Sequence, residues 1–252
     1  MTDTIEVSEM YLAPQGEGPF LGQSSLFLRL RRCVLACAWC DTKQTWQKGF
    51  PGYDEFQSYT PEALAVAMRR LGTQGPGQPP FAIVITGGEP LIWQRLLPRV
   101  IDHYIGMGGD SQVEVETAGT IVPTQAMLGR CHFNVSHKLK SAGNEHVKPE
   151  RLWNAEATAS YLVAPSAIFK VVVGADDETM LTLYLTWLAA VAWQHHKSLW
   201  PTVASRVYLM PCATTREELV ERQSGTMALA AKLGVNVTTR MHILAYGNER
   251  SR

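Results

Sequence analysis

The stretch that decides the fold reads Cys33-Val-Leu-Ala-Cys37-Ala-Trp-Cys40-Asp41-Thr42, in which three cysteines follow the spacing CxxxCxxC. Structural zinc sites are closed by four ligands. Three thiolates can instead hold a four-iron cluster and leave one iron free to bind a second molecule. The spacing therefore indicates a reactive iron–sulfur site. Two other interpretations stay open: a zinc site completed by Cys131 or Cys212, and core thiols that ligate nothing.

The composition is that of an ordinary globular chain of 252 residues, 46% of them hydrophobic. A chain of this length can bury one sizeable core, so a single domain over residues 1–252 is expected. Lys plus Arg and Asp plus Glu number 23 each, which leaves no basic surplus for direct nucleic-acid binding.

The N-terminus and the longest apolar passage argue against secretion and against a membrane span. Residues 1–8 contain neither a positively charged segment nor the apolar stretch of a secretion signal. The apolar passage at 180–193 is interrupted by threonines and is shorter than the ~20 residues that a span needs. Five cysteines, three of them clustered, fit a reducing compartment better than a disulfide scaffold. A cytoplasmic protein is therefore expected.

Apolar runs with strand character alternate with helical patterns, which predicts an α/β protein with a parallel sheet. Thr60-Pro61 marks a helix start, and 72–80 reads as a loop rich in Gly, Pro and Gln. The predicted strands cover 25–30, 81–86, 112–116, 132–135, 167–173, 206–210 and 235–239, and the other helices cover 96–106, 178–197 and 216–233. About six β/α units fall short of the eight that close a barrel, so an open, partial barrel is expected, with its chemistry where the strands end.

The segment 43–59, which contains glycines, a proline and several aromatic residues, follows the cysteines directly. It is predicted to be an insertion or lid over the site, with a plain surface loop as the alternative.

The sequence Thr86-Gly87-Gly88-Glu89-Pro90 follows a predicted buried strand. Two glycines allow the backbone to approach a ligand without interference from a Cβ atom, and Glu89 can fix the turn or accept a hydrogen bond from an ammonium group. The same string also makes a simple turn from strand to helix.

The segment Pro14-Gln15-Gly16-Glu17-Gly18 precedes the first predicted strand. It presents an amide and a carboxylate side by side, which suits the donor and acceptor edge of a nitrogen heterocycle. A polar entry loop is the alternative.

Taken in order, the motifs resemble the 7-carboxy-7-deazaguanine synthase family of radical S-adenosylmethionine (SAM) enzymes. Gln-Gly-Glu-Gly, Arg29, CxxxCxWCDT and Thr-Gly-Gly-Glu-Pro are followed by three further matching segments. These are Glu116-Thr117-Ala118-Gly119-Thr120, Ser136-His137-Lys138 and Arg240-Met241-His242. The resemblance runs over residues 9–248, and the order of the motifs is more specific than any one of them.

The resemblance implies a radical SAM core with a [4Fe-4S] cluster, SAM and Mg²⁺ as cofactors. The implied metal ligands are Cys33, Cys37 and Cys40 for the cluster and Thr42 for magnesium. The implied SAM contacts are Trp39, Cys40, Asp41, Gly87, Gly88, Glu89, Glu116, Ser136, His137 and Lys138. The implied substrate contacts are Pro14, Gln15, Gly16, Glu17, Arg29, Thr86 and His242. Glu116 contacts SAM or substrate, with a structural ion pair as the alternative.

The implied substrate is 6-carboxy-5,6,7,8-tetrahydropterin. Reductive cleavage of SAM gives a 5′-deoxyadenosyl radical that abstracts hydrogen from C6; the ring contracts, ammonia leaves and 7-carboxy-7-deazaguanine forms, as in queuosine-type 7-deazapurine biosynthesis. No catalytic residue is implied beyond the cluster and the SAM radical. The implied partners are an electron donor such as flavodoxin and a second copy of the chain in a homodimer.

One motif departs from the family, because His137 stands where a proline is usual, and this puts the SAM contact of that residue in doubt. Two other functions remain as alternatives. A radical SAM enzyme of other specificity, such as an activase of a glycyl-radical enzyme, shares CxxxCxxC but lacks the Gln-Gly-Glu-Gly and Cys-Asp-Thr segments. A zinc-stabilised binding module without catalysis predicts one tightly bound, four-coordinate zinc ion and no iron.

Overall fold

The computed structural model describes residues 3–73, 82–109, 112–164, 166–174, 177–247 and 249. Its strands are Ile5–Pro14 (β1), Ser24–Leu30 (β2), Gln57–Tyr59 (β3), Ala82–Gly87 (β4), Gln112–Thr117 (β5), His132–Val135 (β6), Ile168–Val173 (β7), Val207–Pro211 (β8) and Asn236–Val237 (β9). Its helices are Pro61–Gly72 (α1), Leu97–Gly106 (α2), Gln125–Leu128 (α3), Pro149–Leu152 (α4), Ala155–Val163 (α5), Glu178–His196 (α6), Trp200–Ala204 (α7), Arg216–Leu233 (α8) and Met241–Tyr246 (α9).

In the part of the chain that the structure describes, the strands form one 9-stranded sheet in the order β3-β1-β2-β4-β5-β6-β7-β8-β9. From β2 to β9 all neighbouring strands are parallel, whereas β1 runs antiparallel to both β2 and β3. Helices connect the successive parallel strands. The sheet does not close on itself, which confirms the predicted open β/α barrel and places the carboxyl ends of the parallel strands at one edge.

Local sequence signals explain where the main helices begin and end. The Thr60 hydroxyl accepts a hydrogen bond from Ala63 N at 3.3 Å, and Pro61 occupies the first turn of α1. Thr215 caps α8 in the same way, and Gly234 ends it in the left-handed conformation. The apolar faces of these helices pack on a sheet whose central strand β4 is buried from Ala82 to Thr86.

Seven elements of the described structure are absent from the sequence-based prediction: β1, β3, α3, α4, α5, α7 and α9. The strand β1 pairs along β2 from Val7 to Pro14, although the first strand was expected at 25–30, and its positions Ile5 and Val7 are buried. The helix α5, which begins at its cap Asn154, was also missed. Residues 74–80 of the loop predicted at 72–80 and the first residue of the strand predicted at 81–86 lie outside the described residues.

The segment 43–59 begins with the 3-10 turn Lys43–Thr45 and ends in β3. The guanidinium group of Arg31 lies over the rings of Tyr53 and Phe56, at 4.3 and 3.9 Å from their centroids. These contacts tie the segment to the end of β2, and its role as a lid stays a prediction. None of the described helices is both long and apolar enough to cross a membrane.

Candidate active site

A cleft opens at the carboxyl edge of the parallel strands, and its lining brings together all predicted site residues except Glu89 and His137. The predicted residues that line it are Pro14, Gln15, Gly16, Glu17, Arg29, Cys33, Cys37, Trp39, Cys40, Asp41, Thr42, Thr86, Gly87, Gly88, Glu116, Ser136, Lys138 and His242. Sequence reasoning missed Tyr11, Trp46 and Lys170, which also line it, considered Cys212 only as a zinc ligand, and gave Arg240 no role.

The three clustered cysteines lie on the loop that follows β2, and their thiols are free. Burial raises the pKa of the Cys33 thiol to about 12, so this thiol stays protonated until a metal ion takes the proton's place. Each of the three sulfurs faces an N–H donor, as thiolate ligands of a cluster require. The residues present therefore fit a cluster held by three thiolates.

The zinc interpretation gains no support from the geometry. In the described ranges no three His, Cys, Asp or Glu side chains converge closely enough to hold a single metal ion. Cys131 is packed in the main hydrophobic core, and Cys212 lines the cleft.

The two glycines at the end of β4 are required by the packing of the protein backbone, and both also line the cleft. A Cβ atom on Gly87 would collide with Leu30, and one on Gly88 would collide with the carbonyl of Arg32. Gly88 N donates to Leu30 O at 2.9 Å, and Glu89 N donates to Arg32 O at 2.7 Å. The turn thus fastens β4 to the start of the cysteine loop, and only the outer surface of the glycines faces the cleft.

Glu89 is fully buried behind this turn, which corrects its expected contact with SAM. Its carboxylate accepts hydrogen bonds from Leu91 N, Thr117 Oγ1 and Ala118 N at 3.1, 2.8 and 2.9 Å. Burial raises its pKa, although these hydrogen bonds act in the opposite direction. The side chain fixes the turn, which was the other role the sequence offered.

The His137 side chain also turns away from the cleft, so a SAM contact through its ring is not available. Its Nδ1 lies 3.0 Å from Tyr184 Oη and its Nε2 lies 3.2 Å from Thr158 Oγ1. Burial, aided by the charge of Lys138, lowers the pKa of His137 to about 3, and the ring is neutral. The neighbouring Lys138 stays in the cleft, where its Nζ donates to Ser136 Oγ at 2.9 Å.

The far end of the cleft contains buried ion pairs around Glu17. Its carboxylate accepts from Lys170 Nζ and, at 2.9 Å, from Arg240 Nε. Burial raises the pKa of Glu17, but the ammonium of Lys170 and the guanidinium of Arg240 outweigh burial and hold that pKa far below its usual value. Arg240 also donates to Asp41, which joins this end of the cleft to the cysteine loop. Glu17 is therefore a buried carboxylate that stays charged.

Two more acidic residues of this end of the cleft, Glu114 and Glu116, lie on β5. Glu114 accepts from Gln15 Nε2 at 3.0 Å and from Asn134 Nδ2 at 3.1 Å, and burial together with the charge of Glu116 raises its pKa to about 7. Glu116 accepts from Thr86 Oγ1 at 2.8 Å and lies 3.5 Å from Lys170 Nζ. Glu116 thus has the structural ion pair that the sequence left open, while it also lines the cleft.

Arg29 and His242 both line the cleft. Arg29 Nη2 donates to Tyr11 Oη at 3.0 Å, and its Nε donates to Glu9. A Cβ atom on Gly16 would collide with the ring of His242, so this glycine is required where α9 meets the Gln-Gly-Glu-Gly segment. Met241 N donates to Gly16 O at 2.9 Å and fixes that contact.

An open β/α barrel with a CxxxCxxC loop and a Gly-Gly-Glu-Pro turn side by side at its carboxyl edge is the arrangement of radical SAM enzymes. No family model matches the chain. A 7-carboxy-7-deazaguanine synthase of Pyrobaculum aerophilum is 34% identical over 100% of this chain and 99% of its own. One of Hyperthermus butylicus is 28% identical over 97% of this chain and 94% of its own. The crystal structure of QueE from Escherichia coli matches with a TM-score of 0.67 at 23% identity, covering 96% of each chain.

The chain belongs to the 7-carboxy-7-deazaguanine synthase family. Membership implies an iron–sulfur cluster, SAM and a small-molecule substrate.

Proposed function

We propose that this protein is a 7-carboxy-7-deazaguanine synthase, which converts 6-carboxy-5,6,7,8-tetrahydropterin to 7-carboxy-7-deazaguanine and ammonia. The observation that supports this most strongly is one cleft with three thiols at one end and the buried, charged Glu17 beside Gln15 at the other. The first end suits a cluster, and the second suits the N–H groups of a pterin ring.

At the cysteine end, Cys33, Cys37 and Cys40 hold the cluster. When bound, the cluster and SAM supply one-electron radical chemistry, and the protein positions and shields it. Lys138, 5.4 Å above the Trp39 ring, provides a fixed positive charge for the SAM carboxylate, and Ser136 orients that ammonium. The other proposed SAM contacts are Asp41, Gly87, Gly88 and Glu116. His137 contributes only through its backbone.

At the opposite end, Gln15 and Glu17 bind the donor and acceptor edge of the pterin, and Glu17 accepts its N–H groups as a full anion. Arg29 pairs with the substrate carboxylate after it exchanges its present partner Glu9. Pro14, Gly16, Thr86 and His242 complete the proposed substrate contacts.

Magnesium is assigned to Thr42, which lines the cleft and whose hydroxyl lies 3.6 Å from Cys40 Sγ. One hydroxyl is a modest ligand for a hard cation, so the substrate carboxylate and water must supply the remaining oxygens. Thr42→Ala is expected to keep iron content and SAM cleavage and to lose about tenfold in magnesium-dependent turnover, a change of ~1.4 kcal/mol. Thr73→Ala, which removes an exposed hydroxyl at the end of α1, serves as the control. An unaltered magnesium dependence in Thr42→Ala rules out the assignment.

The remaining expectations belong to the same proposal. The chain acts as a single domain, as a homodimer, and receives its electron from a donor such as flavodoxin. The segment 43–59, which contacts Arg31 through Tyr53, acts as a lid, and its residue Trp46 lines the cleft.

The experiment is anaerobic reconstitution with iron and sulfide, followed by dithionite, SAM and 6-carboxytetrahydropterin, with products identified by mass spectrometry. Formation of 7-carboxy-7-deazaguanine supports the proposal. Cys37→Ala is expected to lose the cluster and the product, whereas Cys131→Ala, which alters a cysteine of the core, keeps both. If 5′-deoxyadenosine accumulates without the product, the proposed substrate is wrong. If the protein binds zinc in place of iron, the proposal that it is a radical SAM enzyme is wrong.

A further inference from the structure

Two side chains from outside the cysteine loop direct N–H groups at the cysteine sulfurs. Trp46 Nε1 donates to Cys40 Sγ at 3.3 Å, and Asn144 Nδ2 donates to Cys37 Sγ at 3.1 Å. The donor that faces Cys33 Sγ is the backbone N–H of Leu35, at 3.5 Å. Residues 46 and 144 are 98 positions apart in the sequence, so the fold brings their side chains to neighbouring sulfurs.

Trp46 is held in place by the turn that precedes it. The 3-10 turn Lys43–Thr45 ends at Trp46, whose backbone N–H donates to Lys43 O at 3.1 Å. The same turn is fixed to the start of the cysteine loop, because Arg32 N donates to Thr45 O at 2.8 Å. These bonds fix the backbone of Trp46 relative to the cysteine loop, and the indole itself is held by its hydrogen bond to Cys40 Sγ.

Asn144 is buried and is held even more closely. Its Oδ1 accepts from Ala36 N at 2.8 Å while its Nδ2 points at Cys37 Sγ, so the amide orientation follows from its partners. Ala38 N donates to Ala142 O at 2.9 Å. Ala36 and Ala38, which flank Cys37, are thus both hydrogen-bonded to the segment 142–144.

An N–H donor stabilises negative charge on a thiolate sulfur, and a cluster gains negative charge when it is reduced. Hydrogen bonds to the sulfurs therefore favour the reduced state and raise the reduction potential. We propose that Trp46 and Asn144 set the reduction potential of the cluster, as positioning residues that act through Cys40 and Cys37. The inference rests on the proposed function only in that these cysteines bind a cluster.

The test is a redox titration of the reconstituted holoenzyme, without SAM or pterin, followed by the EPR signal of the reduced cluster. Trp46→Phe keeps the aromatic ring and removes the donor, so the equilibrium constant for reduction should fall about tenfold, which is a shift of ~59 mV to more negative potential. Asn144→Asp keeps the acceptor for Ala36 N, loses the donor and adds a negative charge, so its shift should be larger.

The matched control is Trp153→Phe, which removes an indole donor that bonds to Lys138 O at 3.0 Å. Its potential should equal that of the unsubstituted chain. The EPR signal reports only on molecules that carry a cluster, so a variant with lower iron content still gives a potential.

A wild-type potential in Trp46→Phe overturns the role of Trp46, and an equal shift in Trp153→Phe overturns the proposal as a whole. If the chain binds no cluster, both this proposal and the proposed function fall. If the potentials shift as expected but no deazaguanine forms, only the proposed substrate falls.

Discussion

The two ends of the cleft are built on different physical principles. At the cysteine end, neutral N–H groups from Trp46 and Asn144 surround sulfurs that a metal must deprotonate. At the far end, Glu17, Lys170 and Arg240 are permanently charged and buried against one another. The first end is therefore completed by its cofactor, whereas the second is complete before any ligand arrives. We expect substitutions at the far end to cost stability and those at the cysteine end to alter cofactor properties instead.

Lys170→Met gives the largest expected effect. The Lys170 ammonium is the cation that Glu17, Glu116 and Glu114 share, and its removal leaves buried carboxylates with too little positive charge. Loss of one partner from a buried ion pair costs roughly 3–5 kcal/mol. The free energy of unfolding of the metal-free chain, measured in urea, should fall by that amount.

The control for Lys170→Met is Lys232→Met. Its ion pair with Glu178 is exposed on both sides, at 69% and 61% of the side-chain surface. Such a surface pair is worth at most about 1 kcal/mol. Equal losses in the two variants would contradict the view that the far end is a preformed, buried charge cluster.

The same contrast explains what the sequence could reveal. The three cysteines lie within eight residues, from 33 to 40, and Thr86 to Pro90 is contiguous, so each motif is visible in the sequence and their order indicates the chemistry. The partners of Glu17, Lys170 and Arg240, are 153 and 223 residues away in the sequence, and no local sequence pattern predicts such ion pairs. The available signal was Lys170 itself, a lone cation inside the apolar strand IFKVVV.

The other differences also have physical causes. The strand β1 was missed because its apolar alternation breaks at Glu9, where the register with β2 shifts, and Glu9 pairs with Arg29 of β2. The position of the His137 ring depends on Tyr184 and Thr158, which arrive from helices later in the chain. In each case the deciding contact is distant in sequence.

Glu114→Gln tests whether the charge at the far end depends on pH. The pKa of Glu114 is about 7 in the folded protein against an ordinary 4.5, so between these values the folded state binds more protons than the unfolded state. Stability contributed by this group is therefore present below about pH 4.5 and is lost as pH rises through 7. At ~1.4 kcal/mol for each unit of pKa, the loss amounts to roughly 3 kcal/mol.

The glutamine variant should lack this decline, because its side chain does not titrate. Asn134 can rotate its amide to accommodate the new N–H group, since its Oδ1 has no hydrogen-bond partner among the described residues. Urea unfolding of both proteins at pH 5 and pH 8 gives the comparison. His137, whose pKa is lowered, acts in the opposite direction below pH 6.5, but it does so equally in both proteins. Parallel stability profiles would show that Glu114 is ionised throughout.

Glu17→Gln separates the two ends most directly. The substitution removes the anion that receives the pterin N–H groups, and hydrogen bonds to a charged group are worth about 1.5–3 kcal/mol. The KM for 6-carboxytetrahydropterin should rise by roughly a hundredfold, or ~2.7 kcal/mol. Iron content and the reduction potential measured without SAM should stay at their wild-type values, because the Glu17 carboxylate bonds to Lys170 and Arg240, whereas the side-chain donors to the sulfurs are Trp46 and Asn144.

Glu62→Gln on the exposed face of α1 controls for the loss of one carboxylate. If Glu17→Gln raises the potential by as much as Trp46→Phe lowers it, then Asp41 and Arg240 transmit charge between the ends, and the cleft works as one electrostatic unit.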